Sequence, residues 1–166
     1  MKLSAFEAIA KALQTAEVRY IVVGGLAVTA HGYLRYTQDV DLVVQLKPDN
    51  IIKALKALAG LGYKPRVPIR PEQFADPAMR DSWRRDKGML VLNLFSDLHV
   101  QTPVDVFVYE PFDFDQEYTS ALIQFLDPDL PIHFVSLATL LRLKQEAGRP
   151  QDLADIDQLK QKDDLE

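Results

Sequence analysis

A chain of 166 residues, 48% hydrophobic and 26% charged, is long enough for one domain that buries roughly 68–70% of its unfolded surface. Its formal net charge of -5 excludes a general basic field for holding long nucleic acid, so a polynucleotide partner would need a local basic patch. The absence of cysteine excludes disulfides, thiolate metal sites and a cysteine nucleophile, and fits a reducing compartment. Met1-Lys2-Leu3-Ser4 leads into Phe6 and Glu7 rather than an apolar signal core. The longest nearly apolar run, Tyr20 to Ala30, is well short of the roughly 20 residues that span a bilayer. The expectation is a soluble, cytoplasmic protein with no membrane partner.

Ser4-Ala5-Phe6-Glu7 has the form of a capping box, and Phe6, Ile9, Ala10 and Leu13 follow at helical spacing, which predicts an amphipathic helix ending near Thr15. Tyr20 to Val23 is a β-branched run closed by Gly24-Gly25, a buried strand turning tightly into a short helix over Leu26 to Ala30 that Gly32 stops. Gln38 to Gln45 alternates around Val40, Leu42 and Val44 as a second strand. Pro48 then opens a helix ending at Gly60 or Gly62. Pro65 to Pro71 marks a loop, and Glu72 to Asp86 has a helical pattern that Pro77 interrupts. Met89 to Phe95 and Val104 to Tyr109 predict an antiparallel pair of strands. Helices from Ser136 to Glu146, stopped at Gly148, and from Pro150 through Leu153, Ile156 and Leu159 complete the pattern.

The fold class is therefore α/β or α+β, with a mixed sheet of about four to five strands, flanking helices and C-terminal helices packed on the core. The expected division of a single domain is a catalytic core over 1–110, a connecting segment over 111–135, C-terminal helices over 136–160 and a frayed acidic tail over 161–166.

The chemistry concentrates between Gly24 and Asp41. Strand side chains two apart share a face, so Asp39 and Asp41 would project together. Like charges about 4 Å apart cost on the order of 4 kcal/mol at an effective dielectric near 20, so the pair calls for a cation, a shared proton or open solvent. Carboxylates completed by water and phosphate suit Mg²⁺; two exposed acids on an edge strand are the plain alternative. Asp105 lies within Pro103-Val104-Asp105-Val106-Phe107-Val108, where an unpaired charge is costly to bury. On a strand beside Asp39 and Asp41 it would complete a three-carboxylate cluster able to bind two metal ions. The alternative is an ion pair with Arg35, Arg84 or Arg85.

Gly24-Gly25 ahead of a helix would present backbone N–H groups to phosphate, although as an isolated motif it is also a plain tight turn. Lys144 falls on the apolar side of its helix after Leu137, Leu140 and Leu141, and there it either reaches a ligand or neutralises Asp152 or Asp155. Trp83 with Arg80, Arg84 and Arg85 is the most basic patch, either a stacking platform for an acceptor ring or a solvated helix face. His31, His99 and His133 lack the spacing of a zinc site, and His31 beside Gly32 reads as a helix end.

Gly24-Gly25-Leu26-Ala27, His31-Gly32, Arg35, Thr37 and Asp39-Val40-Asp41-Leu42 together resemble the signature of the nucleotidyltransferase superfamily that includes DNA polymerase beta. They look most like the small bacterial proteins related to abortive-infection toxins and to aminoglycoside or lincosamide nucleotidyltransferases. Lys144, Gly148-Arg149-Pro150, Asp152-Leu153 and Asp155-Ile156 also look like the C-terminal motif of that group, so the resemblance spans residues from about 20 to 160. The sequence departs from the pattern at Gly25, where many active members carry serine, and at Gln151, where lysine is common.

The resemblance implies transfer of a nucleoside monophosphate from a nucleoside triphosphate to an acceptor hydroxyl, with Mg²⁺ or Mn²⁺ as cofactor. Asp39 and Asp41 would bind the metal that grips the triphosphate, and Asp105 would orient or deprotonate the acceptor and share in holding metal. Gly24, Gly25, Arg35, Thr37 and Lys144 would serve the nucleotide. The acceptor classes are a small antibiotic-like molecule, a tRNA end or a protein, in a monomer or a homodimer. Two other readings stand beside it: a catalytically quiet nucleotide-binding protein, such as one half of a toxin–antitoxin pair, and a metal-dependent phosphoesterase using the same acids.

Overall fold

Helix α1, Leu3–Thr15, buries Ala5, Phe6, Ile9, Ala10 and Leu13 along one side in the computed structural model, which describes residues 1–165. The expected capping box does not form, because the helix starts before Ser4. The Lys2 carbonyl accepts from the amides of Ala5 and Phe6, and the Lys2 amide donates to Thr102 Oγ1 at 3.0 Å. Glu7 takes Lys11 at 2.8 Å instead of the helix start.

Strand β1, Tyr20–Val23, is buried throughout and runs straight into α2, Gly24–Ala30. The α2 C-cap is His31, whose Nε2 bonds the Val135 carbonyl at 2.7 Å. Strand β2, Val40–Val44, is followed by α3, Pro48–Gly60, and by a short β3, Tyr63–Pro65. The interrupted helical pattern resolves into α4, Pro71–Ala75, and α5, Pro77–Lys87. Pro77 holds Asp76 in extended backbone, and the Asp76 carboxylate caps α5 by accepting from the Ala78 amide at 2.9 Å.

Strands β4, Val91–Ser96, and β5, Val104–Phe107, form the expected antiparallel pair. The segment expected to be a connection holds α6, Phe114–Ser120, and two strands, β6, Leu122–Phe125, and β7, Pro131–Phe134. Helices α7, Leu137–Ala147, and α8, Pro150–Asp163, follow. The helix therefore continues into the segment expected to fray, whose last residue, Glu166, lies outside the described residues.

The sheet has seven strands in the order β3-β4-β5-β2-β1-β7-β6, not the four to five expected. The additions are β3 at one edge and the β6–β7 hairpin at the other. Each is three or four residues long. β3 abuts prolines, β6 is largely exposed, and β7 alternates over only four residues, burying Ile132 and Phe134. Within the sheet β2 pairs β5 in parallel and β1 pairs β7 in parallel, while the other neighbours are antiparallel.

Alternation sorts the central strands into two faces. Val40, Leu42, Leu92, Leu94, Val104 and Val106 are buried, whereas Asp41, Val91, Asn93, Asp105 and Phe107 are only partly covered. Helix α7 packs beside α2 and α8 and overhangs part of that second face. Among the described residues no helix is long and apolar enough to cross a membrane.

Candidate active site where the central strands meet the last two helices

Strand register brings the acids together. Asp41 on β2 is the parallel-register partner of Asp105 on β5, Asp105 is paired with Asn93 on β4, and Asp41 is paired with Val23 on β1. Side chains of directly opposed residues lie on one face, so Asn93, Asp105, Asp41 and Val23 form a transverse row across four neighbouring strands. Asp39 lies just before β2 rather than in it. Its charge nevertheless pushes on both Asp41 and Asp105.

The turn from β1 into α2 is shaped around this row. Gly24 has φ +68°, and a Cβ there would stand 2.1 Å from Asp41 Oδ2. Both the positive φ and the carboxylate against its Cα require glycine. At Gly25 a Cβ would meet Thr37 Oγ1 at 2.4 Å and Arg35 Nη2 at 3.2 Å. The Thr37 hydroxyl thus occupies the space that a side chain at position 25 would need, and it donates to the Asp39 carbonyl at 3.4 Å.

Asp41 has its carboxyl pushed up to about 7, first by burial and then by the Asp105 and Asp39 charges, with Lys144 and Arg149 offsetting in part. Among the described residues no side chain hydrogen-bonds or ion-pairs with the carboxylate of Asp39 or Asp41. Asp105 is also raised, chiefly by burial. Against that, Asn93 donates from Nδ2 to Asp105 Oδ1 at 2.6 Å and Arg66 adds positive charge, both favouring the ionised form. Arg66 Nε in turn donates to Asn93 Oδ1. None of the arginines considered as alternative partners serves Asp105: Arg35 pairs with Asp155, Arg84 lies over the Tyr109 ring and Arg85 contacts Asp86.

Asp41 and Asp105 open into a cleft of about 500 Å³. Leu90, Phe107, Tyr109, Leu140 and Leu143 give it an apolar wall, and Lys144, Arg149 and Asp152 line its polar side. Lys144 is buried and holds Nζ 2.9 Å from both Asp152 Oδ1 and Asp155 Oδ2. Arg149 Nε reaches Asp152 Oδ2 at 2.6 Å, and Arg35 Nε comes to 2.8 Å of Asp155 Oδ1. Burial acts to raise the carboxyls of Asp152 and Asp155, but the hydrogen bonds from these cations, joined at Asp155 by one from Gln151 Nε2 to Oδ1 at 2.9 Å, outweigh it and hold both below the ordinary range. Of the two roles open to Lys144, the structure shows neutralisation of both aspartates. Gly24, Asp41, Asp105 and Lys144 share the cleft, whereas Gly25, Arg35 and Thr37 form an adjoining cluster outside its lining.

Trp83 is no stacking platform. It is buried against Phe74, with ring centroids 6.3 Å apart, and Arg80 donates to the Phe74 carbonyl at 2.5 Å. Sequence reasoning overlooked Asn93 and Arg66, which become visible only once β4 is registered on β5 and the chain after β3 on β4. Arg149 was visible as part of a motif, but nothing in the sequence distinguishes it from its exposed neighbours.

Among the described residues no three His, Asp or Glu side chains stand close enough to cage a metal ion. The donors do fit a hard cation held in part by solvent: paired carboxylates at the floor of an open cleft, with no side chain hydrogen-bonded to the Asp41 carboxylate among the described residues, suit an ion whose remaining ligands are water and phosphate oxygens.

No protein-family model matches the chain, and no curated protein does. Among solved structures it is similar to a Thermotoga maritima protein described as a "putative nucleotidyltransferase", at 12% identity and a TM-score of 0.54, over 96% of this chain and 92% of that one. The fold is nucleotidyltransferase-like. At that identity the likeness concerns architecture alone, and the acids at the cleft stand on this chain's own register and burial.

Proposed function

We propose that the chain is a metal-dependent nucleotidyltransferase that moves a nucleoside monophosphate from a nucleoside triphosphate to an acceptor hydroxyl. The observation carrying this reading is the register pair Asp41 and Asp105 at the floor of the cleft, with the Asp39 charge alongside and, among the described residues, no cation ion-paired to Asp41. Asp41 and Asp105 would hold Mg²⁺, with Mn²⁺ as a substitute, and the Asp39 charge would strengthen the field that binds it. An ion there would offset charge on the triphosphate and on departing pyrophosphate.

The protein's own groups do the rest. Asp105 orients the acceptor hydroxyl and takes its proton. The acceptor oxygen forms a bond to the α-phosphorus as the bond from that phosphorus to the bridging oxygen breaks, and pyrophosphate carries the electron pair away. Gly24 lets backbone approach the phosphates. Arg149, with a side chain 74% exposed at the cleft, is the cation free enough to meet them. Lys144 contributes positive potential while shared between Asp152 and Asp155, and Arg35 with Thr37 keeps the turn at Gly25 closed. The apolar wall leaves room for a ring of the nucleotide or of the acceptor, whether a small antibiotic-like molecule, a tRNA end or a protein side chain.

The test is incubation of purified protein with Mg²⁺, each α-labelled nucleoside triphosphate and a host-cell extract, beside Asp39→Ala and Asp41→Ala variants that remain folded. Label should pass to an acceptor with the wild type and with neither variant. Transfer surviving either substitution overturns this assignment. A second reading, a quiet nucleotide-binding protein of the toxin–antitoxin kind, is favoured by Gly25, whose side-chain space Thr37 fills. It predicts Mg²⁺-dependent nucleotide binding with no labelled product.

A further inference from the structure

We infer that Asn93 is a positioning residue for Asp105, and that Arg66 fixes which way its amide faces. The inference rests on the reading of the cleft as a transferase site but comes from a different part of the sheet.

Asn93 is half-buried in β4, directly opposite Asp105, and its Nδ2 donates to Asp105 Oδ1 at 2.6 Å. An asparagine amide has nearly the same shape in either orientation. Turned over, Asn93 would set its own oxygen against the carboxylate, two acceptors with no proton between them. The neighbour that prevents this is Arg66. A guanidinium only donates, and its Nε donates to Asn93 Oδ1. That contact requires oxygen on the Arg66 side and so sends the NH₂ group toward Asp105.

Arg66 is exposed, yet it is held at three points. Its backbone amide donates to the Asn93 carbonyl at 3.1 Å, its guanidinium lies over the Phe95 ring at 5.2 Å, and its Nε engages the Asn93 side chain. A chain of donors therefore runs from solvent at the β3 edge, through β4, to the acid on β5. It engages Oδ1 of Asp105, and among the described residues no hydrogen bond engages Oδ2. Asp41, the other acid of the pair, has no such donor, so the two are not equivalent: Asp105 is oriented in advance by a hydrogen bond, whereas Asp41 is held by packing against Gly24 without one.

The experiment uses the full chain as wild type, Asn93→Ala, Arg66→Ala, the double variant and Arg66→Lys. It reads Mn²⁺ affinity by electron paramagnetic resonance, transfer kinetics where there is transfer, and the Asn93 side-chain amide by ¹⁵N NMR. Outer-shell partners of ligating carboxylates are worth roughly 10–100-fold in metal affinity or activity. Asn93→Ala should therefore lower kcat or Mn²⁺ affinity by at least about tenfold, with KM for the nucleotide nearly unchanged. Arg66→Ala should have a smaller effect, add nothing to Asn93→Ala, and be partly restored in Arg66→Lys. The Asn93 NH₂ protons should exchange slowly in wild type and rapidly in Arg66→Ala.

Additive losses, or an Asn93 amide indifferent to Arg66→Ala, overturn the inference. A wild type that neither binds Mn²⁺ nor transfers nucleotide overturns the reading of the cleft instead. The exposed Arg66→Ala and the NMR signal then still decide whether Arg66 sets the amide.

Discussion

Asp41 is destabilised by its own folded environment. Its carboxyl rises from 3.8 to about 7 on folding, through burial first and then the Asp105 and Asp39 charges. The folded state thus holds the proton more tightly than the unfolded chain, and the penalty for ionisation is absent below pH about 4, grows toward pH 7 and is complete above it. Asp41→Asn should stabilise the metal-free protein at pH 8 by on the order of 2 kcal/mol, allowing for solvent in the open cleft, and leave it nearly unchanged at pH 4. Urea denaturation at the two pH values checks this, and equal effects at both contradict it. Asp152 and Asp155 have the opposite sign: held low, they contribute stability above the usual carboxylate range and lose it as acid protonates them.

Asp41 and Asp105 were legible in the sequence because acids among β-branched neighbours stand out by chemistry alone. Asn93 and Arg66 were not, since an amide in a strand and an arginine in a proline-rich stretch acquire meaning only from the residues opposite them.

At the scale of elements, the turn from β1 to α2 and the loop before β2 are fitted to one another. Thr37 Oγ1 would lie 2.4 Å, and Thr37 Cβ 2.9 Å, from a Cβ at position 25. A serine side chain at position 25 therefore displaces the loop that carries Asp39. Gly25→Ser should destabilise by roughly 1–3 kcal/mol, and Thr37→Gly should recover part of that in the double variant, a coupling that a double-mutant cycle in thermal unfolding measures. Simple additivity of the two substitutions would show that the turn and loop do not compete for the space.

The main helices and the four central strands were readable because their patterns are strong and their termini marked by Gly24, Pro48, Gly148 and Pro150. The edges were not. β3 and β6 are held by pairing to a neighbouring strand rather than by a pattern of their own, and the alternation of β7 is only four residues long.

Across the whole molecule, one buried network ties distant parts of the chain to the cleft. Lys144 on α7 sits between Asp152 and Asp155 on α8, and Asp155 also anchors Arg35 in the loop before β2. Removing one partner of a buried pair typically costs about 3–5 kcal/mol because the remaining charges stay buried. Lys144→Met should lower the melting temperature by about 6–20 °C on that basis. A variant with wild-type melting would show that Arg35 and Arg149 suffice for the aspartates.

The bond between Arg35 and Asp155 spans 120 positions in the chain. On a ribosome, where domains assemble as the chain emerges, this buried ion pair cannot form until Asp155 has left the exit tunnel, and until then the loop bearing Thr37 and Asp39 has only nearer partners such as the Met1 amino group, which donates to the Thr37 carbonyl at 3.4 Å. Strands β1, β2 and β5 are synthesised well before that point, so the acids can be brought into register before the pair is made. The order of synthesis thus sets the order of assembly: an unfinished chain can carry its carboxylates in register before the ion pair that joins the first loop to the last helix exists.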